Sequence, residues 1–235
     1  MENASTAYRR RRRLTGKALV LASSVYLVAE ALAALRFSPP YSYRRNFISE
    51  LGIPDCGAAL HQLGPSSCSP LSGLMNAGFI VEGGLLILAT ALLFALLRGR
   101  RRFLFGVCGV VHGAGLILVG LFHAGGPDLA NGRVAYHLTG ASLAIFGGNL
   151  AIALAPIGED LAAIGWIRRS GLALGAIGLL AGLIFSVTVA RQTVFWLDYA
   201  VWERVSVYTI VAWDLLIGAC LIWPSQRGRP GPISA

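Results

Sequence analysis

The sequence predicts an all-α membrane protein built as a bundle of six transmembrane helices. Apolar residues make up 55% of its 235 residues and charged residues only 13%, against about 25% charged residues in soluble domains. Six apolar segments are long enough to cross a hydrocarbon core of about 30 Å, which takes roughly 20 residues. The apolar runs are continuous and show no short alternating strands, so they favour helices over a β-barrel.

The six predicted spans cover residues 15–37, 71–97, 103–124, 135–157, 170–190 and 204–223. We expect a basic tail over 1–14, a transmembrane domain over 15–223 and a second tail over 224–235. The run Arg9–Arg13 is typical of a signal peptide, but the apolar run that follows is longer than the roughly 7–15 residues of a signal sequence. We therefore interpret it as a retained first span.

The distribution of basic residues predicts the orientation. The N-terminal, second-to-third, fourth-to-fifth and C-terminal segments hold 14 of the 20 basic residues, and the opposite segments hold six. The positive-inside rule then places both termini in the cytoplasm. We expect the protein in a bacterial plasma (inner) membrane. A net charge of +9 would also suit nucleic acid. However, the basic residues lie in short clusters between spans, so we expect membrane lipids as partners and no nucleic acid.

One connection is long, namely the predicted extracytoplasmic loop over residues 38–70. Its apolar residues predict a packed loop: Phe47, Ile48, Leu51, Ile53, Leu60 and Leu63. Cys56 and Cys68 lie in it on the expected oxidising side, where a disulfide would stabilise the protein by about 3 kcal/mol. Two free thiols or a metal clip are the alternatives, although no CxxC spacing supports a metal.

Glu82, His112 and Asp214 form the centre of a predicted intramembrane polar network. Each lies 9–11 residues into its span, or about 13–16 Å at 1.5 Å per residue. Glu30 and Asn149 lie about a third of the way in. An ionisable group at this depth costs at least a few kcal/mol without a partner. Structural pairing, a proton or ion relay, and a metal site shared between helices remain open, although no single-helix metal motif occurs and we predict no metal or cofactor.

A second set of polar residues lies in the long loop and at the predicted outer ends of the spans. These candidate ligand-binding residues are Arg44, Arg45, Asn46, Ser49, Glu50, Asn76, His123, His137, Glu203 and Arg204. Together they would suit an anionic headgroup or a loop that acts as a lid. The alternative is a set of interfacial salt bridges that orients the loop.

The function that we expect is non-enzymatic. Phosphate-binding GK[ST] loops, GxSxG and HExxH motifs are absent. The polar residues predict a pocket in the outer half of the bundle that binds or transports a lipid-like or small amphipathic ligand. The alternative is a membrane-embedded, metal-dependent lipid or amide hydrolase. The Ser, Asp and His residues of alkaline-ceramidase-type enzymes are present, but their His-x-x-x-His element is not.

Several short motifs resemble the prokaryotic multi-pass membrane family known as domain of unknown function 998 (DUF998). They are RNFISELG at 45–52, SPL at 69–71, MNAGF at 75–79, LVGLF at 118–122, His137, GGN at 147–149, Glu203-Arg204, Tyr208, Trp213 and Gly218. The resemblance covers about residues 15–223, and implies a six-helix bundle without an established activity. Residues 48–52 are also faintly similar to an element of the Frag1/DRAM/Sfk1 family.

Overall fold

The computed structural model describes residues 4–56, 68–97, 101–155 and 165–223. Within these ranges the chain forms seven α-helices and no strand. They are α1 Ala4–Arg36, α2 Ser72–Phe94, α3 Arg101–Leu121, α4 Gly126–Ala130, α5 Val134–Leu154, α6 Gly165–Arg191 and α7 Tyr199–Ile222. All except the five-residue α4 are long and apolar enough to cross a membrane. This confirms the predicted fold class.

Each predicted span corresponds to one long helix, and the largest difference is at the start of α1. The helix begins at Ala4, so residues 4–14 of the predicted tail are helical. At 1.5 Å per residue its 33 residues extend about 50 Å, which exceeds the hydrocarbon core. The Arg12 Nη2 donates a hydrogen bond to the Cys220 backbone oxygen at 2.9 Å, near the end of α7. The predicted tail over 224–235 and the turn over 98–100 lie outside the described residues.

The six long helices form a ring in chain order. Each packs against the next long helix, and α1 closes the ring against α7. Glycine lets these backbones approach closely. A Cβ on Gly113 of α3 would lie 2.6 Å from the Gly83 oxygen of α2, and one on Gly175 of α6 would lie 2.7 Å from the Asn149 oxygen of α5. The glycines at these contacts therefore serve packing within the bundle.

The described parts of the long loop, residues 38–56 and 68–70, cover one end of this ring, which we call the loop end. A short 3-10 helix forms over Ser49–Gly52, and Cys56 and Cys68 form the predicted disulfide, with 4.4 Å between their Cα atoms. Ser69 Oγ donates to the Leu51 oxygen at 2.6 Å. The loop buries Phe47, Ile48, Leu51 and Ile53; Leu60 and Leu63 lie outside the described residues. The loop is thus a packed cover on the bundle.

Candidate functional site

Arg204 of α7 anchors the loop by reaching into it. Its Nη1 donates to the Asn46 backbone oxygen at 2.7 Å, and its Nη2 donates to the Tyr41 hydroxyl. The Tyr41 hydroxyl in turn donates to the Phe47 oxygen at 2.8 Å. Burial raises the pKa of Tyr41, so its phenol stays neutral and can accept one bond while donating the other. The guanidinium therefore holds the backbone of the segment before the 3-10 helix.

Two glutamates continue this anchor. Glu203 Oε2 accepts a hydrogen bond from the Ile48 backbone nitrogen at 2.8 Å. Glu50 Oε2 accepts from Asn46 Nδ2 at 2.9 Å and from the Phe47 nitrogen at 3.2 Å. Burial raises the pKa of Glu50 to about 8, although the hydrogen bond from Asn46 lowers it in part. Glu50 is therefore an acid that changes charge near neutral pH.

A third carboxyl group, on Glu30 of α1, joins the same cluster from the membrane side. Its Oε1 accepts a hydrogen bond from the Tyr208 hydroxyl at 2.8 Å and lies 4.0 Å from Arg204 Nε. Glu30 is 2% exposed and Arg204 is 6% exposed. The loop anchor is therefore a buried hydrogen-bonded cluster and not a set of surface salt bridges.

A separate polar cluster lies between α3 and α5. Asp128 of α4 accepts from the His123 backbone nitrogen at 2.8 Å and lies 3.2 Å from His123 Nδ1. Arg133 Nε is 3.4 Å from the other carboxylate oxygen of Asp128. His137 Nδ1 is 2.9 Å from the Phe122 oxygen. These contacts fix the turn between the two helices.

A cavity of about 380 Å³ lies beneath the loop, and we call it the loop-end pocket. The 3-10 helix forms its cover, and α3, α5, α6 and α7 supply most of its walls. The lining is mainly apolar and includes Phe79, Leu116, Val119, Ile145, Phe146, Phe185 and Val207. Four polar or ionisable residues lie toward the loop: Ser49, Glu50, His137 and Glu203. The pocket is thus amphipathic.

On the side between α5 and α6, the loop-end pocket is lined by exposed residues. Leu138 and Ser142 of α5 line it and are exposed, and so are Ser186 and Ala190 of α6. In a membrane-spanning bundle these exposed positions face lipid. This side of the pocket is therefore bordered by residues that face lipid in such a bundle.

The structure divides the candidate ligand-binding residues into two groups. Ser49, Glu50, His137 and Glu203 line the pocket. The remaining candidates do not. Arg44 Nε pairs with Asp198 at 2.8 Å, Arg45 is exposed, and Asn76 Nδ2 donates to the Gly52 oxygen at 2.8 Å. Asn46, Arg204 and His123 serve the anchors described above.

The predicted intramembrane polar residues do not all join one hydrogen-bonded cluster. Glu30 belongs to the loop anchor, and Asn149 joins α5 to α7 through Ser206 and Thr209, at 2.8 and 2.9 Å. His112 and Asp214 line a second, small cavity of about 30 Å³ with Thr90 and Trp213. Such a volume is large enough for one water molecule. Glu82 is buried on α2 but is not among the residues that line this cavity.

His112 is positioned for a polar interaction in that cavity. Its Nδ1 lies 2.7 Å from the Ala144 oxygen, which orients the ring. Its Nε2 is buried without a hydrogen-bond partner, as is Trp213 Nε1. Within the four described ranges, no group of three or more His, Cys, Asp or Glu side chains is placed to hold a metal ion.

Sequence reasoning missed several residues that build the site. Tyr41, Asp128 and Asp198 belong to no motif that would have identified them. Tyr208 could have been identified, because it lies four positions after Arg204 and hence on the same helix face. The pocket also depends on Ala141, Ser142, Ser186 and Ala190. Small residues at facing positions of α5 and α6 are the sequence signal that could have indicated the pocket.

Six long apolar helices, a packed loop and an amphipathic pocket define a multi-pass α-helical membrane protein with an internal site. A family model described as "Protein of unknown function (DUF998)" matches residues 20–220, and the chain belongs to that family. Neither a curated protein nor a solved structure matches the chain. The similarity to the Frag1/DRAM/Sfk1 family stays a prediction.

Proposed function

We propose that this protein binds a single-chain amphiphile in the loop-end pocket. The observation that carries the proposal is the distribution of polarity along the pocket. Its walls are apolar, and its ionisable residues Glu50, His137 and Glu203 lie toward the loop. Small-molecule sites commonly combine an apolar lining with a few placed polar groups, in volumes of about 300–1,000 Å³. A volume of about 380 Å³ is at the small end of that range, which suits one chain better than two.

The ligand enters from the membrane through the opening between α5 and α6. The loop is held over the pocket by buried bonds from Glu203 and Arg204, so entry from the aqueous side would break several of them. Entry between Ser142 and Ser186 breaks none of these bonds. With the predicted orientation, the ligand comes from the outer leaflet of the plasma membrane.

The geometry supports binding better than hydrolysis. A metal-dependent hydrolase needs a set of metal ligands near a polarised water, and the described part of the chain holds no such group. Ser49 and His137 both line the pocket, but the hydrogen-bond partners of the His137 ring are backbone groups of Phe122 and Val119 and not Ser49. No observation therefore favours a second function.

Two adjacent residues of α6 provide the test. Ser186 lines the mouth of the pocket, whereas Val187 is exposed and lies outside the lining. We expect Ser186→Trp to block the opening and Val187→Trp to leave it open. Each protein is purified from its own membranes and bound amphiphiles are measured by native mass spectrometry.

Wild type and Val187→Trp should retain a single-chain amphiphile, and Ser186→Trp should retain about tenfold less. Equal retention in all three proteins would mean that the molecule is bound elsewhere. Complete absence of such a molecule from wild type, even after incubation with membrane extract, would also contradict the proposal.

A further inference from the structure

We infer that the loop-end pocket selects an amphiphile with a positively charged head, which lies against Glu50 and Glu203. This inference rests on the proposed function and adds the chemical class of the ligand. It also differs from the expectation that arginines of the loop bind an anionic headgroup, because Arg44 pairs with Asp198 and neither Arg44 nor Arg45 lines the pocket.

The charge of the lining is opposite to the charge of the whole chain. The protein carries a net charge of +9, yet the described residues that line the pocket include two glutamates and neither lysine nor arginine. Arg44 is paired with Asp198, and Arg204 donates to the loop backbone. These two arginines are thus bonded to groups outside the pocket, and an anionic headgroup would contact two carboxyl groups.

The loop-end cluster also holds more acid than base. Glu30, Glu50 and Glu203 lie around Arg204, and all four are at most 7% exposed. A buried carboxylate without a compensating charge is strongly unfavourable. One way to avoid that charge is protonation, and burial already raises the pKa of Glu50. A cationic head bound beside Glu50 and Glu203 would supply the missing positive charge.

The carboxyl groups keep acceptor capacity after the loop bonds are made. Glu50 and Glu203 each use Oε2 for the loop. A carboxylate has two oxygens with about four lone-pair sites. The carboxyl groups can therefore hold the loop and contact a ligand at the same time.

Aromatic rings complete a surface that suits a cation. Tyr26, Phe47 and Phe79 line the same pocket. The face of an aromatic ring attracts an ammonium group within about 6 Å, and quaternary ammonium ligands are commonly recognised by such rings. The aromatic rings of the lining are therefore compatible with the cationic head that the two glutamates favour.

The test compares three 16-carbon probes that differ only in the head: hexadecyltrimethylammonium, hexadecanol and hexadecyl sulfate. The full-length protein is placed in nanodiscs of neutral lipid, and thermal unfolding is followed at equal mole fractions of each probe. A probe that binds the folded state raises the Tm with its concentration. The pH is kept at least one unit above the pKa of Glu50, which burial raises to about 8, so that this carboxyl group is mostly charged.

We expect hexadecyltrimethylammonium to bind about tenfold more tightly than hexadecanol, and hexadecyl sulfate to bind most weakly. Glu50→Gln and Glu203→Gln keep an acceptor for the loop and remove the charge, so each should reduce the preference to about twofold. Asp198→Asn is the matched control, because it removes a carboxylate at the same face outside the pocket. Asp198→Asn should prefer hexadecyltrimethylammonium over hexadecanol to the same degree as wild type.

The outcomes separate the two proposals. If all three probes bind equally and Ser186→Trp abolishes their binding, the pocket binds amphiphiles without regard to charge and the cation inference is wrong. Tighter binding of the sulfate, or an unchanged preference in both glutamine variants, would also overturn it. If no probe binds, or if Ser186→Trp binds the probes like wild type, the proposed function itself fails.

Discussion

Glu203 of α7 accepts a hydrogen bond from the backbone nitrogen of Ile48, 155 positions earlier in the chain, at 2.8 Å. The next residue, Arg204, donates to the backbone oxygen of Asn46 at 2.7 Å. Two consecutive side chains of α7 thus hold the loop that covers the pocket. One accepts from a backbone N–H group, and the other donates to a backbone oxygen. The cover is therefore held in place by the membrane helices.

Arg204→Met should destabilise the protein by about 3 kcal/mol, because it leaves buried acceptors and carboxyl groups without their partner. Arg204→Lys should recover only part of this loss, since an ammonium cannot reproduce the guanidinium fork. Denaturant unfolding in detergent measures the change.

The control is Arg44→Met, which removes a pair whose arginine side chain is 77% exposed. We expect it to cost less than about 1 kcal/mol. Equal losses from Arg204→Met and Arg44→Met would show that the loop does not depend on the buried anchor.

The stability of the protein should fall as the pH rises from about 5 to 8, and Glu50 should be one cause. Burial raises the pKa of Glu50 to about 8, above the value of about 4.3 in an unfolded chain. The folded state then holds a proton that the unfolded state has lost, so the free energy of unfolding decreases by up to about 1.4 kcal/mol per pH unit in this window.

Glu50→Gln resembles the protonated acid and should flatten this pH dependence. The comparison is the Tm of wild type and Glu50→Gln between pH 5 and pH 8 in the same detergent. A Tm difference between the two proteins that stays constant across this range would show that Glu50 titrates normally.

His112 and Asp214 should be energetically coupled, because both line the same small cavity. We expect His112→Ala and Asp214→Asn each to lower stability, and the double variant to lose less than the sum by at least about 1 kcal/mol. Asp214→Asn combined with Asp128→Asn is the control, since Asp128 lies at the loop end. If the stability losses of His112→Ala and Asp214→Asn are additive, like those of the control pair, the coupling is refuted.

The orientation of the bundle can be tested with single cysteines at two exposed positions. Thr193 lies between α6 and α7 at the loop end, and Arg101 begins α3 at the other end. With the termini in the cytoplasm, an impermeant thiol reagent should label Thr193→Cys in intact cells and leave Arg101→Cys unlabelled until the cells are opened. Wild type, with Cys108 and Cys220 in its spans, is the background control. The reverse pattern would invert the predicted orientation.

Much of the fold could be predicted because the bilayer constrains it. Each long helix must be apolar over about 20 residues, and all six predicted spans correspond to helices. The extra turns before residue 15 could not be predicted from hydropathy. Arginine is a good helix former, so Arg9–Arg13 can continue α1 beyond the apolar segment without changing the hydropathy pattern.

The site could be predicted only in part, because hydropathy does not say which helix faces overlap. Glu50, His137 and Glu203 could be selected as polar residues at one membrane face, and they do line the pocket. The same rule selected Arg44 and Arg204, whose partners Asp198 and Asn46 depend on the path of the loop. The predicted intramembrane network includes both Glu30 and Glu82, but Glu30 lies beside Arg204 and Tyr208. Such contacts depend on the rotation of each helix about its own axis, which hydropathy does not determine.

The most direct test of the binding site is a density map of the protein purified from its own membranes into nanodiscs, with no added ligand. We predict elongated density that enters between Ser142 and Ser186 and ends beside Glu50 and Glu203 beneath the loop. A well-resolved map in which the pocket is closed by side chains, or in which the lipid chains remain outside α5 and α6, would contradict this assignment.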